Sequence, residues 1–236
     1  GGMFSGRMTT VLVAAGAVLR DFISAYGISV GSYTTSIGSV KDDTVYSADE
    51  IMQISHTNPL RAMTSEMEEA MREEILKAKA DGDSVGGVIR CVAKGLPAGL
   101  GEPFFDTLDG EIAKAVFAIP GVKGIEFGAG FAAASLRGSE NNDSYLMQDG
   151  VVSTKTNNAG GILGGMSNGA ALEFSVAFKP TPSISKRQDS VDLFDEKDAE
   201  LSVRGRHDPC IATRGAVVVE AMTIFVIADL LIRGGF

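Results

Sequence analysis

The chain has 236 residues, of which 44% are hydrophobic and 22% are charged. That composition supports one large or two small globular domains with a real hydrophobic core, and it excludes a disordered chain. The formal net charge of −9 argues against nucleic acid as the main partner, because the field of the whole molecule repels phosphate backbones. An anionic ligand would therefore need a local group of basic residues.

The cysteines and the apolar segments narrow the class of protein further. Cys91 and Cys210 are far apart and belong to no Cys-x-x-Cys pair, so the sequence predicts neither a disulfide framework nor a metal site and is typical of a cytoplasmic protein. The opening residues 1–10 lack the pattern of a secretory signal. The most apolar run, 216–232, contains two acidic residues, so we expect a buried helix and no membrane partner.

The first part of the chain predicts two helices and two strands. Apolar residues at helical spacing indicate the helices, and the second helix begins with a capping-box pattern at Ser65 and Glu68. β-branched residues indicate the strands, and paired glycines in the second permit close backbone approach. We predict helices over 9–26 and 65–82 and strands over 28–40 and 84–95.

The later part of the chain continues this irregular alternation of helices and strands. A polar segment, 185–200, predicts an exposed hairpin. Because the strands are short and no dinucleotide fingerprint follows the first of them, the pattern favours a layered α+β domain over a doubly wound parallel sheet. We predict helices over 108–119 and about 209–233, and extended segments over 122–128, 170–180 and 199–206.

Three glycine- and hydroxyl-rich stretches are candidates for an anion or cofactor site lined by backbone. They are residues 1–7, 157–169 and 179–183. A structural interpretation stays open for each, since glycine pairs often serve tight packing and a Lys-Pro-Thr-Pro-Ser run often serves as a rigid strand exit. Their occurrence together with "RGRHDP" at 204–209 favours phosphate recognition, which needs backbone NH groups and Arg or Lys in one place.

The segment before the last helix has two interpretations. Asp208 followed by Pro209 suits a helix cap and first turn, because aspartate accepts free NH groups and proline loses nothing there. Arg206 and His207 would then lie at the positive end of the helix dipole, where an anionic ligand is stabilised. Thr213 is an alternative cap for a helix that starts later.

Eight motifs follow one another along the chain. They are "SGRMT", "DGDSVGG", "GLGEPFFDTLD", "AKAVFAIPGVKGIEFGAGF", "GSENND", "NNAGGILGGMSNG", "FKPTPSI", and "GRHDPC" with "VVEAM". Their order and spacing are those seen in chorismate synthases, so the sequence resembles the chorismate synthase family. The resemblance runs from Gly1 to about Arg233 and covers nearly the whole chain.

The resemblance implies a reaction, a cofactor and a fold. Chorismate synthases convert 5-enolpyruvylshikimate 3-phosphate to chorismate and phosphate by anti 1,4-elimination, the last step of the shikimate pathway to aromatic amino acids. The reaction needs reduced FMN but has no net redox change. The implied architecture is an α+β sandwich with helices packed between two antiparallel sheets, assembled as a homotetramer. Whether the enzyme reduces its own flavin with NADPH stays open, because no nicotinamide fingerprint is visible.

The resemblance also assigns site residues, position by position. Arg7 and Arg206 match arginines that hold the phosphorylated substrate. Asp208 matches an aspartate that assists proton transfer involving N5 of the flavin, so Asp208 and Arg206 are the expected catalytic residues. Flavin contacts are implied at Met3, Phe4, Ser5, Pro120, Gly121, Gly164, Lys179, Pro180, Thr181, Pro182, Ser183 and Arg206.

Part of the family pattern is not found among these residues. Family members carry an earlier region with a Gly-Glu-Ser-His-Gly motif, a second histidine and arginines that grip the substrate. Neither His56, which we expect to face solvent or pack in a loop, nor His207 takes the role of those histidines. We therefore expect residues 1–236 to be one chorismate synthase-like domain, incomplete at its N-terminus and inactive alone. The alternative function is a non-catalytic flavin- or anion-binding fragment or an oligomerising scaffold.

Overall fold

The protein is built around a five-stranded antiparallel sheet with helices on both faces. The computed structural model describes residues 2, 5–148, 150–205 and 207–236. The helices are α1 (Thr9–Ser24), α2 (Ala48–Ile54), α3 (Ser65–Ala80), α4 (Leu108–Phe117), α5 (Gly138–Asn141) and α6 (Ala212–Gly234). The strands are β1 (Ser29–Ile37), β2 (Val40–Lys41), β3 (Gly87–Lys94), β4 (Val122–Phe127), β5 (Tyr145–Gln148), β6 (Val151–Thr154), β7 (Ile162–Leu163), β8 (Met166–Ser167), β9 (Leu172–Phe178), β10 (Gln188–Asp192) and β11 (Lys197–Leu201).

The central sheet has the strand order β2-β1-β3-β9-β4, and each neighbouring pair is antiparallel. Strand β9 shows the alternation expected of a strand with one buried face, because every second residue from Leu172 to Phe178 is buried. The remaining strands form two-stranded pairs, β5-β6, β7-β8 and β10-β11. Antiparallel pairing together with separate helices confirms the predicted α+β class.

Helix α6 forms the centre of the helical layer. It contacts α1, α4 and three central strands, and its middle section is almost entirely buried. Among the described residues it is the one helix long and apolar enough to cross a membrane, and 72% of its apolar window is buried inside the protein. The prediction of a buried helix is therefore confirmed.

A charged network lies inside this helical layer. Glu220 of α6 is 1% exposed, and its carboxylate accepts hydrogen bonds from the backbone NH of Ser32 (2.8 Å) and from the Ser32 hydroxyl (2.9 Å). The same carboxylate pairs with Arg20 of α1 (3.0 Å) and with Arg61. These bonds compensate a charge that would otherwise be costly to bury, and they tie α6 to α1 and β1.

Helix α2 covers the other face of the sheet. Ile51 of α2 packs in a small apolar cluster with Tyr33 of β1, Met63 and Val92 of β3. The sequence patterns did not predict this short helix, although Ser47 and Glu50 form a capping box at its start. The capping box predicted at Ser65 and Glu68 is wrong: the Thr64 hydroxyl accepts the NH of Met67 at 3.2 Å, so α3 is capped one residue earlier.

Candidate functional site

Segments from four distant parts of the chain meet in one cleft of about 840 Å³. They are the start of α1, the turn between α4 and β4, the loop after β9 and the residues just before α6. This arrangement arises because α1, α4 and α6 pack side by side and β9 ends beside them. The residues predicted from the family resemblance that line the cleft are Ser5, Arg7, Pro120, Gly121, Lys179, Thr181, Pro182, Ser183 and Asp208.

The start of α1 contributes a cap and a cation. The Ser5 hydroxyl accepts the backbone NH of Arg7 at 3.3 Å, which holds the short 3-10 turn Gly6–Met8 in front of the helix. The Arg7 side chain is exposed at the rim of the cleft. Met3 and Phe4, two of the predicted flavin contacts, lie outside the described residues.

A backbone hydrogen bond connects the α4–β4 turn to the loop after β9. The NH of Lys179 donates to the carbonyl of Gly121 at 2.9 Å. Gly121 has a φ of +95°, and a Cβ at this position would lie 2.5 Å from Cδ1 of Ile211. Both the backbone conformation and the space therefore require glycine here.

The loop after β9 presents polar groups to the cleft. The Thr181 hydroxyl is buried and has no hydrogen-bond partner among the described residues, which is costly unless a ligand or water supplies one. The Thr181 carbonyl accepts the Ser84 hydroxyl at 2.7 Å. Pro180, also predicted as a flavin contact, does not line the cleft and lies instead against Gly86.

Asp208 lies between the cleft and the start of α6, but it is not the helix cap. The helix begins at Ala212 after Ile211, whose side chain makes no capping bond. The prediction that Asp208 and Pro209 start the helix is therefore wrong. One Asp208 oxygen accepts the NH of Cys210 at 3.3 Å, and the other pairs with Arg214 at 3.0 Å, so the carboxylate stabilises the turn that leads into the helix.

Thr213 does not cap α6, and His207 bonds to a backbone carbonyl in the segment before the helix. Thr213 is inside α6, and its hydroxyl donates to the Cys210 carbonyl at 3.5 Å, so it is not the cap either. A ring nitrogen of His207 lies 3.0 Å from the Val203 carbonyl. Arg206 lies outside the described residues.

A second, more polar cavity of about 650 Å³ adjoins the first. The two cavities share Ser183, Asp208 and Arg214. The remaining polar side chains of the second cavity are those of Lys79, Asp83, Ser84, Ser185 and His207. Asp208 can therefore be reached from both sides.

The glycine-rich stretch 157–169 bonds to neighbouring segments through part of its polar groups, while Oδ1 of Asn157 and Nδ2 of Asn168 are buried without a partner among the described residues. The Asn157 amide donates to the Ala171 carbonyl at 2.8 Å, and the NH of Asn158 donates to Asp143 at 2.7 Å. These bonds favour the packing interpretation over a ligand loop for this part of the stretch. Among the described residues, the structure groups no His, Cys, Asp or Glu side chains in a way that could hold a metal ion.

Gly164, a further predicted flavin contact, is not in the cleft. It lies in the exposed turn between β7 and β8, and the carbonyl of the next residue, Gly165, accepts the NH of Leu108 at the start of α4. Pro120 follows the opposite end of α4, and the ten-residue helix between the two ends is about 15 Å long. A flavin contact at Gly164 stays a prediction.

The described cleft is locally cationic in a chain that is strongly acidic overall. Arg7, Lys179 and Arg214 line it against one carboxylate, Asp208. An anion is therefore favoured here despite the net charge of −9. Burial raises the pKa of the nearby Cys210 thiol, which keeps this cysteine neutral and a poor nucleophile.

Two residues that organise the site were not among the predicted site residues. Ser84 holds the loop after β9, and Arg214 pairs with Asp208. Ser84 belongs to the motif "DGDSVGG", which the sequence pattern marks but to which it assigns no role. His56, by contrast, is exposed in a turn after α2, as expected.

Comparisons with known proteins show the family and the fold of the chain. The family model described as chorismate synthase matches residues 1–232. The chain is 49% identical to the chorismate synthase of Dehalococcoides mccartyi and 47% identical to that of Methanosarcina mazei; each alignment covers 100% of the chain and 64% of the relative. A crystal structure of chorismate synthase matches with a TM-score of 0.80 and 31% identity, over 98% of this chain and 65% of that one. The chain belongs to the chorismate synthase family.

Proposed function

We propose that this chain carries the flavin-binding part of a lyase that converts 5-enolpyruvylshikimate 3-phosphate to chorismate and phosphate, in the pathway to aromatic amino acids. One observation supports this most: residues that the family resemblance assigns to flavin and substrate, from four distant segments, line a single cleft. We also propose that residues 1–236 act as one domain.

The chemistry of the cleft supports reduced FMN as the cofactor. Its volume of about 840 Å³ lies in the range of cofactor pockets. Arg7 and Lys179 suit an anionic phosphate, and the buried hydroxyl of Thr181 has an unmet hydrogen bond. An apolar wall suits a flat aromatic ring, and it consists of Val13, Ile119, Phe178, Ile211 and Val218.

The proposed elimination breaks the bond between the substrate carbon and its phosphate oxygen while a proton leaves carbon 6, without net oxidation. Reduced FMN, when bound, supplies electron density to the allylic system of the substrate. Arg7 would stabilise the charge that develops on the departing phosphate. Asp208 would relay a proton near N5 of the flavin, and its contact with both cavities supports that role.

A second function, that of a non-catalytic flavin- or anion-binding module or oligomerising scaffold, is favoured by two facts. The chain spans 64% of the length of the relatives named above, and the Gly-Glu-Ser-His-Gly motif of the family is not among its residues. Under this proposal the chain binds FMN but does not turn over substrate.

One experiment separates these functions. Full-length protein, including any residues that precede this chain in its gene, is mixed anaerobically with reduced FMN and the phosphorylated substrate, and chorismate is followed by absorbance; FMN binding is followed in parallel by flavin fluorescence. Turnover by the full-length protein supports the lyase, FMN binding without turnover by that protein supports the module, and absence of both contradicts the proposal. Arg7→Met should weaken FMN or substrate binding at least tenfold if one charge-assisted bond is lost, whereas Arg72→Met, on the distant α3 surface, should leave binding unchanged.

We further propose a cytoplasmic homotetramer. Both cysteines are buried free thiols, as in proteins of reducing compartments. Several large aromatic side chains are almost fully exposed, which supports contacts between subunits: Phe104, Phe105, Phe131 and Phe194. Light scattering should give four times the chain mass, and a monomer at micromolar concentration would contradict this proposal.

A further inference from the structure

The motif "DGDSVGG", residues 81–87, connects α3 to β3 behind the candidate site. It does not belong to the set of residues that the family resemblance assigns to flavin or substrate. Gly82, Asp83 and Ser84 nevertheless form one wall of the polar cavity beside Asp208. The motif therefore lies directly behind the residues to which we assign ligand contacts.

The motif holds the far end and the middle of the loop after β9. The Gly82 carbonyl accepts the NH groups of Ser185 (3.1 Å) and Lys186 (3.0 Å), and Asp83 pairs with the Lys186 ammonium at 3.1 Å. In the middle of the loop, the Ser84 hydroxyl donates to the Thr181 carbonyl at 2.7 Å. A loop that carries two prolines has few backbone NH groups of its own for such bonds.

The same motif also holds the segment before α6. The NH of Val85 donates to the Pro209 carbonyl at 2.8 Å, and Pro209 directly follows Asp208. Successive residues of the motif thus bind the loop that contains Thr181 and the turn that contains Asp208. These two parts of the site share this support, in addition to the direct bond from the Val203 NH to the Ile184 carbonyl at 3.1 Å.

The glycines of the motif fit the same role. A Cβ at Gly86 would lie 2.4 Å from the Phe178 carbonyl oxygen and 3.2 Å from Pro180, and a Cβ at Gly82 would lie 2.6 Å from the Ser185 hydroxyl. Real Cβ atoms do not approach a backbone oxygen that closely. Glycine at both positions therefore lets the motif lie against the loop.

We propose that residues 82–86 are a clamp that sets the position of the 179–185 loop relative to Asp208, with Ser84 as a positioning residue for the site. The positioning role of Ser84 in ligand binding rests on the proposed function. The clamp itself does not, because its contacts are hydrogen bonds within the protein. Loss of the Ser84 hydroxyl should leave the fold intact and loosen the loop.

Hydrogen exchange tests the clamp without a ligand. In Ser84→Ala, exchange at the amides of Val85, Ser185 and Lys186 should accelerate about tenfold, since one hydrogen bond of typical net strength is lost. Ser84→Thr keeps a hydroxyl and should restore slow exchange. The control is Ser24→Ala, which removes a bond of the same 2.7 Å length inside α1 and should leave these amides unchanged. Unchanged exchange in Ser84→Ala, or equal acceleration in Ser24→Ala, would overturn the clamp.

FMN titration tests the positioning role. Ser84→Ala should raise the FMN dissociation constant about three- to tenfold, by the same hydrogen-bond strength, with Ser84→Thr near wild type. Faster exchange with unchanged FMN affinity would overturn the positioning role. If wild type binds no FMN, the proposed cofactor is wrong, while the exchange result still decides the clamp.

If Ser84→Ala does not fold, Asp83→Asn, which breaks only the partly exposed pair with Lys186, takes its place with the same expected acceleration at Ser185 and Lys186.

Discussion

Asp208 stabilises the turn before α6 and also has a proposed role in the site. Its carboxylate accepts the Cys210 NH and pairs with Arg214, whose side chain is 81% exposed. An ion pair with so exposed a partner contributes little to stability, about 1 kcal/mol at most. The charge of Asp208 therefore matters less for folding than for the proposed chemistry.

We predict that Asp208→Asn lowers the free energy of unfolding by less than about 1 kcal/mol, because asparagine can still accept the Cys210 NH. FMN affinity should change less than twofold, while turnover, in any preparation that shows it, should fall. Urea denaturation and flavin fluorescence measure the first two quantities. Arg214→Gln, which removes the pair but keeps the carboxylate, is the matched control. A stability loss of several kcal/mol in Asp208→Asn would show that the residue is mainly structural.

Glu220 is the opposite case, a buried carboxylate, and one of its two arginine partners is nearly buried with it. Removing its charge leaves Arg61, with a side chain only 14% exposed, and Arg20 without their anion. We predict that Glu220→Gln lowers the free energy of unfolding by about 3 kcal/mol, as expected when one member of a buried pair is removed. Urea denaturation measures this loss.

The control for Glu220 is Glu68→Gln, which breaks the pair with Arg72 on the surface of α3. That change should cost less than about 0.5 kcal/mol, the usual value for a helical pair four residues apart. Equal losses in the two variants would show that the buried network does not stabilise the helical layer.

At the scale of elements, the long periodic segments were predictable and the element ends were not. Helices α1, α3, α4 and α6 and strands β1, β3, β4 and β9 lie where apolar spacing predicts them, because burial of one face dictates that spacing. Helix α2 was missed because it has only seven residues, too few for a clear period. The start of α6 was misplaced because Asp-Pro serves a turn as well as a cap.

The candidate site was predictable to a similar degree. Motif resemblance indicated segments that meet in the cleft, but it could not show that Pro180 lies behind the loop or that Gly164 is at the far end of α4. Nor could it assign Ser84, because a serine hydroxyl bound to a backbone carbonyl 97 residues away leaves no local pattern. Such contacts depend on tertiary structure alone.

The turn at Gly121 provides a test at the element scale. Gly121→Ala would place a Cβ at positive φ and 2.5 Å from Ile211, so we predict a loss of about 1–3 kcal/mol in stability and weaker FMN binding. Gly124→Ala, in the neighbouring strand β4, meets only an ordinary contact with Ala177 at 3.6 Å. It should change stability by less than about 0.5 kcal/mol. Thermal denaturation and FMN titration measure both variants, and similar behaviour of the two would contradict the need for glycine at 121.

At the scale of the whole molecule, the strand order depends on non-local pairing. Strand β9 inserts between β3 and β4, so its partners are 47 residues (Phe127 and Phe174) to 91 residues (Gly87 and Phe178) away in sequence. The period of two in each strand predicts a buried face but not a neighbour. The layered α+β class was therefore predictable from the short, glycine-bounded strands, while the order of the sheet was not.

The buried titratable groups of this sheet make the free energy of unfolding depend on pH in the alkaline range. Burial raises the pKa of Cys91 in β3 to about 12 and that of Tyr33 in β1 to about 12. Both groups are neutral when protonated, so the folded protein retains protons that the unfolded chain releases from about pH 9 upward. The stability that these groups contribute is complete below their ordinary pKa values and is lost as the pH rises through that interval toward 12.

We therefore predict that the free energy of unfolding falls as the pH rises from about 9 to about 11, with each group contributing up to about 1.4 kcal/mol per pH unit. Urea denaturation at several pH values measures the slope. Cys91→Ala will lower stability at neutral pH, because Cys91 is fully buried against Thr223 of α6, but it removes one titrating group and should make the alkaline slope shallower by that amount. An unchanged slope in Cys91→Ala would mean that this thiol does not control the response, and Tyr33→Phe would then identify the remaining contribution.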